Sequence, residues 1–154
     1  MAYAKAQMAA QPALPTKGNV FLSVKDRDKE LAVAVARELA ELGFVIYSTS
    51  GTATAMENAG VKVNKLGKIS EGARPNVLDL LKNGQLQMIV NTAAGMLPRK
   101  DENVMRAEAV LRGVYMASTM NAARAAVLGI RSLKSRSLTV NSLQEHAKVL
   151  PRRS

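Results

Sequence analysis

The sequence predicts an α/β protein: an open parallel sheet with helices on both faces, in three layers. Three observations predict it. Short apolar runs alternate along the chain with segments whose apolar residues recur at helical spacing, and that alternation implies right-handed βαβ crossovers. The runs V-F-L-S-V at 20–24 and L-Q-M-I-V at 86–90 are too continuously apolar for strands with one wet face, and suit strands buried on both. At 154 residues the chain fits one ordinary domain. Hydrophobic residues make up 47% and aromatics only 3%, so the core must be built from Val, Leu, Ile, Ala and Met.

Each element follows in order. Residues 2–10 are Ala-rich and helical in character, and Pro12 and Pro15 break them. The first strand occupies 20–24. Asp26 and Asp28 suit a helix start, after which Leu31, Val35, Leu39 and Leu42 recur at helical spacing and Gly43 closes the helix. A second strand spans 44–47. The small-residue turn S-T-S-G-T at 48–52 leads into a helix at 53–59, closed by Gly60. A weaker third strand at 61–66 precedes a polar loop at 68–76 and a short helix at 77–82, ended by Asn83 and Gly84. The fourth strand, 86–90, ends in a second small-residue turn, N-T-A-A-G at 91–95. A helix follows from about Asp101 to Leu111, then a fifth strand at 114–117. Ser118 or Thr119 can cap a helix reaching about Leu128. A strand-like piece at 137–140 and a last helix at 142–149, with Ser142 and Glu145 spaced as a capping box, complete the reading.

Composition excludes several chemistries. The chain has no Cys, hence no disulfide, cysteine nucleophile or thiolate metal site; a reducing, cytoplasmic setting is compatible with this. Its one histidine, His146, cannot make a zinc site, which needs three or four convergent ligands, and reads as a surface residue of the last helix. No run approaches the ~18 apolar residues of a membrane span, and the start lacks the apolar block of a signal peptide. Net charge is +10, from 22 basic and 12 acidic residues. The stretch 109–154 carries eight basic residues against Glu145 alone, which favours anionic partners or a solvated face.

In an open parallel sheet, ligands bind beyond the carboxyl ends of the strands, where the strand order reverses. The turns after the first, second and fourth strands are expected to meet there. In S-T-S-G-T, free N–H groups at a helix start favour an anion; the hydroxyls of Thr49, Ser50 and Thr52 add donors, and Gly51 lets backbone approach a ligand. Read as a lone turn, it is an ordinary helix cap. In N-T-A-A-G, Asn91 offers both donor and acceptor. Lys29 and Lys68 can bring positive charge to the same edge. Neither turn holds a carboxylate, and neither G-x-G-x-x-G nor G-x-x-x-x-G-K-[ST] occurs. The site is equipped to hold an anion and poorly equipped to transform it.

Five stretches then carry a resemblance: V-F-L-S-V-K-D-R-D-K, G-F-V-I-Y-S-T-S-G-T, N-K-L-G-K-I-S-E-G, P-N-V-L-D-L-L-K-N-G and I-V-N-T, in that order. Together, from about Gly18 to Lys148, they closely resemble the allosteric domain at the carboxyl end of the carbamoyl-phosphate synthetase large subunit. The leading A-Y-A-K-A-Q-M-A-A resembles the last helix of the preceding synthetase domain. The implied organisation is a remnant helix and linker at 1–17, the allosteric domain at 18–150 and a basic tail at 151–154. The implied fold is that of methylglyoxal synthase, with a flavodoxin-like winding of the sheet.

The resemblance implies a regulatory role in pyrimidine and arginine biosynthesis, with no catalysis by the domain alone and no cofactor or metal. Its effector would be a nucleoside monophosphate such as UMP or IMP, or another anionic effector such as N-acetylglutamate. Lys29, Thr49, Thr52 and Lys68 would hold the phosphate, with Ser50 and Gly51 in the same turn. Asn91 and Thr92 would line the sugar or base side, followed by Ala93 and Gly95. Ser50 stands where some relatives have histidine, Ala93 where several have a second threonine and Met96 where some have arginine. E-G-A-R-P carries one residue more than the commoner E-G-R-P. Ser118 matches a region near the ornithine site of some relatives. Implied partners are the other domains of the large subunit, the glutaminase small subunit and further copies of the chain. Two alternatives stand beside this reading. A methylglyoxal synthase-type lyase would need acids and a histidine that K-I-S-E-G-A-R-P-N and N-T-A-A-G-M-L-P-R-K lack. A basic nucleic-acid-binding module would need aromatics for stacking, and only Tyr115 lies in the basic third.

Overall fold

The computed structural model describes residues 12–92 and 97–149, apart from the side chains of Ser70 and of residues 137–149. The helical piece expected at 2–10, the basic tail, Ala93, Gly95, Met96 and the side chain of His146 lie outside the described residues. Five parallel strands form one sheet in the order β3-β2-β1-β4-β5. They are β1 (Asn19–Ser23), β2 (Val45–Thr49), β3 (Asn64–Leu66), β4 (Met88–Asn91) and β5 (Tyr115–Ala117). Helices α1 (Lys29–Glu41), α2 (Ser50–Asn58), α3 (Val77–Lys82), α4 (Arg99–Leu111) and α5 (Met120–Val149) connect and cover them. The open parallel sheet with both faces covered is the architecture the alternation predicts. Its winding is 3-2-1-4-5, however, not the flavodoxin-like 2-1-3-4-5. The strand order therefore reverses between β1 and β4, and the crevice opens there.

Alternation along β1 explains why Val20, Phe21 and Leu22 are apolar without a break. Val20 and Leu22 face one core with α1, α2 and α5, whose Leu39, Met56, Val127 and Ile130 fill it. Phe21 faces the other, with Leu80 and Leu81 of α3 and Met105 and Ala109 of α4. Truncating a fully buried residue such as Leu39 or Ile89 costs about 2–5 kcal/mol, through lost transfer energy and the cavity left behind.

The first turn of α2 differs from expectation. The helix begins at Ser50, so S-G-T is its first turn and Thr49 its N-cap residue. β3 is three residues long, not six: it is an edge strand with Asn64 and Lys65 exposed, and Val61 instead continues the turn from α2 through its N–H to the Met56 carbonyl, 2.9 Å. The polar loop after β3 is organised by a capping box at α3. The Asn76 side chain accepts from the Leu78 and Asp79 N–H groups, and Asp79 accepts from Asn76 N–H at 2.9 Å. Ala73, the additional residue of E-G-A-R-P, lies against Gly67, where a Cβ would stand 2.1 Å from the Ala73 Cβ.

The carboxyl-terminal third departs most. A single helix, α5, replaces the expected helix to Leu128, strand at 137–140 and helix at 142–149. Ser142 is therefore inside a helix and starts none. Gly129 does not end the helix, and neither Gly nor Pro follows until Pro151. Thr139 and Val140 favour a strand, but β5 has no further strand beside it, and propensity alone does not make one. Thr119, not Ser118, caps α5: its Oγ1 accepts the Ala122 N–H at 3.0 Å.

Candidate functional site

At the carboxyl edge of the sheet, the face toward α3 and α4 carries a row of polar side chains. Leu22 pairs with Ser48 and Ser23 with Asn91, while Thr49 pairs with Leu66. One step past Leu22 and Ser48, Ser23 and Thr49 are thus neighbours across strands. They point to the same side as Phe21 and Tyr47. Asn91, Ser23, Thr49 and Leu66 therefore run side by side across β4, β1, β2 and β3. Both hydroxyls are buried, Ser23 at 1% exposure and Thr49 at 2%, and neither has a hydrogen-bond partner among the described residues. A buried hydroxyl without a partner costs about 1–3 kcal/mol, and native interiors avoid it.

Next to them the amino end of α2 is open. Thr49 makes no side-chain cap, so the first-turn N–H groups, which have no partner within the helix, face the edge with the positive end of the helix dipole. Gly51 occupies the second helical position and Ser50 the first; Ser50 is exposed and its carbonyl accepts Thr54 Oγ1 at 2.8 Å. Thr52 is turned inward, its Oγ1 accepting the buried Val24 N–H at 3.4 Å. Lys68 follows Leu66 by two residues and opens the turn Ile69–Glu71 at the same edge. Lys29 lies beyond β1 at the start of α1, its Nζ 2.7 Å from the exposed Asp26 carboxylate.

The expected residues fall into two groups. Thr49, Ser50, Gly51 and Lys68 stand at the edge around the unpartnered hydroxyls, with Lys29 beyond β1. Asn91, Thr92 and Thr52 are already engaged within the fold. Asn91 Nδ2 donates to the buried Glu102 carboxylate at 2.9 Å, and its carbonyl accepts from Arg106 at 3.1 Å. The Thr92 hydroxyl accepts Lys25 N–H at 2.9 Å, and Thr92 N–H donates to the Ser23 carbonyl at 3.2 Å. These bonds fix the ends of β1 and β4. Ser23 is the residue that sequence reasoning missed. Its signal was a polar residue ending an apolar strand, two positions after Phe21 and so on the same face. Glu102 and Arg106 had no local signal, since their partners lie on other elements.

A cleft of about 470 Å³ opens on the other side of the crevice, lined by Lys25, Arg27, Leu31, Thr92, Ser118 and Asn121 among others. Leu31, expected in the core, is 40% exposed and forms part of this wall. Among the described residues no group of His, Asp or Glu is arranged to hold a metal ion, and no helix is long and apolar enough to cross a membrane.

Comparison with known proteins agrees with this architecture. The chain is 43% identical over 144 residues to the carbamoyl phosphate synthase large chain, C-terminal section, of Methanocaldococcus jannaschii, covering 94% of this chain and 23% of that protein. It is 43% identical over 143 residues to the carbamoyl phosphate synthase large chain of Acidobacterium capsulatum, covering 93% and 13%. The chain thus spans less than a quarter of the length of either relative. Methylglyoxal synthase from Elizabethkingia anophelis superposes with a TM-score of 0.59 at 16% identity, over 74% of this chain and 79% of that one, and so shares its fold. The MGS-like domain model matches residues 31–118, more than half of the chain, and the chain belongs to that family.

Proposed function

We propose that this chain is a regulatory domain of a carbamoyl phosphate synthase large chain, and that it binds a phosphorylated effector such as UMP or IMP at the carboxyl edge of its sheet. One observation carries the reading: two buried hydroxyls with no partner among the described residues, Ser23 and Thr49, stand side by side next to an uncapped helix start. Hydroxyls and N–H groups so placed can donate to phosphate oxygens, and hydrogen bonds to a charged group contribute about 1.5–3 kcal/mol each. Lys68 supplies charge from the loop after β3. Lys29 supplies it from α1 by exchanging its exposed partner Asp26 for the phosphate. Asn91 and Thr92 then hold the strand ends in register beside the nucleoside.

Regulation follows from differential binding. An effector shifts the synthetase only by as much as it prefers one global state to another. The domain alone therefore binds without regulating, and regulation needs the remaining domains and the glutaminase subunit. Among the described residues, Glu102 beside the row accepts a hydrogen bond from Asn91, a structural engagement that favours the binding reading over a lyase. Turnover of dihydroxyacetone phosphate would overturn that preference.

The test is thermal unfolding at fixed salt with UMP, IMP, N-acetylglutamate, ornithine and inorganic phosphate. A ligand at 100 times its dissociation constant raises stability by about 2.7 kcal/mol. A shift with a nucleotide, weakened in Thr49→Val, supports the site. A cooperative transition that none of the five ligands moves refutes effector binding by this chain.

A further inference from the structure

The segment preceding β1 is latched onto α5. Leu14 packs against the core on that side of the sheet, in a notch made by Gly129, where a Cβ would stand 2.6 Å from the Leu14 Cδ1. One turn and a half further along α5, Lys134 Nζ donates to the Thr16 carbonyl at 3.0 Å. The other end of α5 is held at the sheet edge. Arg106 of α4 donates to both the Asn91 carbonyl and the Ser118 hydroxyl, each at 3.1 Å. Asn91 pairs in register with Ser23, and Ser118 and Thr119 precede the first residue of α5. A continuous chain of contacts thus runs from Ser23 through Asn91, Arg106 and Ser118 into one unbroken helix, and out through Gly129 and Lys134 to Leu14 and Thr16.

We propose that α5 relays the state of the sheet edge to the chain that precedes residue 12, through this latch. A relay requires two positions: Leu14 seated at Gly129 with Lys134 on Thr16, the arrangement present here, and a released one that the test below looks for. The latch is weak enough to open, since Leu14 is only partly buried and the Lys134 bond is exposed. Gly129 makes room for the seat, because a Cβ there would stand 2.6 Å from the Leu14 Cδ1 and push that side-chain tip aside. A ligand that tightens the ends of β1 and β4 draws on Arg106 and Ser118, and so favours the seated position. The relay needs only these contacts. Its regulatory use rests on the effector reading above.

The test uses the full 154-residue chain. With no native cysteine, Ala13→Cys gives a single nitroxide site, and the mobile fraction of its spectrum reports release. Gly129→Val and Lys134→Met, which break the latch directly, are expected to raise that fraction several-fold. Arg106→Met, at the far end of the relay, is expected to raise it at least about twofold. Lys65→Met, on the edge strand β3 and paired with Glu57, should leave it unchanged. Release in the two latch variants with none in Arg106→Met, or equal release in Lys65→Met, overturns the relay. Calorimetry with UMP on the same samples judges the effector site separately: absence of UMP binding counts against that reading and leaves the Arg106 comparison intact.

Discussion

Thr49 and Thr52 stand three residues apart in one turn, and replacing each with valine should have opposite effects. Valine keeps the shape of threonine and removes only the hydroxyl. At Thr49 that hydroxyl is buried and without a partner among the described residues, so its removal should relieve a desolvation cost of about 1–3 kcal/mol. Taking the low end, Thr49→Val should stabilise the ligand-free chain by roughly 1 kcal/mol and raise Tm by roughly 2–4 °C. At Thr52 the hydroxyl accepts the buried Val24 N–H, and its removal leaves that donor unsatisfied. The bond is long, so Thr52→Val should destabilise by about 1 kcal/mol. Effector binding should weaken in Thr49→Val by roughly ten-fold or more, the loss of one bond to a charged phosphate. Urea unfolding gives the stabilities and calorimetry the affinities. A destabilised Thr49→Val, or a stabilised one with undiminished nucleotide affinity, would refute the claim that this hydroxyl awaits a ligand.

Other substitutions probe the surroundings of the row. Gly67→Ala would place a methyl 2.1 Å from the Ala73 Cβ, so thermal unfolding should show a loss of about 1–3 kcal/mol; an unchanged Tm would mean that the loop before α3 moves freely. Lys68→Ala should abolish phosphate-dependent stabilisation while leaving the ligand-free Tm within about 0.5 kcal/mol of the parent; unchanged affinity would remove Lys68 from the site. Asn91→Leu strips the buried Glu102 carboxylate of its Asn91 donor and should cost at least about 1–3 kcal/mol in urea unfolding, partly restored by adding Glu102→Leu. A neutral Asn91→Leu would show that Glu102 is satisfied elsewhere.

Much of the fold was legible because its signals are local. The unbroken apolar run of β1 marks a strand buried on both faces, and the spacing of Val35 and Leu39 marks the inner side of α1. The errors came where local and tertiary signals part. The small residues at 50–52 look like a turn, yet they form the first turn of α2. Gly129 looks like a helix end, yet it makes room for Leu14, a residue more than a hundred positions away. Thr139 and Val140 look like a strand, yet they continue α5 and leave the outer edge of β5 unpaired among the described residues. The candidate site divides in the same way. The composition of Thr49 and its turn is what points to an anion at this edge. Ser23 hides inside a strand until its face is known. The engagement of Asn91 by Glu102 and Arg106 depends on how α4 lies against β4, which no spacing within either element encodes.

The arrangement at the edge also bounds what an effector can do. Domains of this size are stable by only about 5–15 kcal/mol, and two orphan hydroxyls at about 1–3 kcal/mol each are a large share of that. On the proposed reading, the ligand-free edge is less stable than the same fold could reach, and the contrast between Thr49→Val and Thr52→Val tests this. A phosphate that satisfied Ser23, Thr49 and the open end of α2 would then recover that energy on binding. Whatever part is recovered equally in every state of the synthetase only tightens binding, and only the part that differs between states regulates. Lys29 begins α1 after β1 and Lys68 opens the turn after β3, so movement of either segment would change the proposed phosphate contacts without disturbing the hydroxyl row. The row would thus set the affinity common to both states, and the two lysines the difference between them. Ser23→Ala should then weaken an effector in the isolated domain and in the full synthetase alike, whereas Lys68→Ala should lower the ratio of its affinities for the active and inhibited enzyme; an equal change in that ratio for both variants would refute the division.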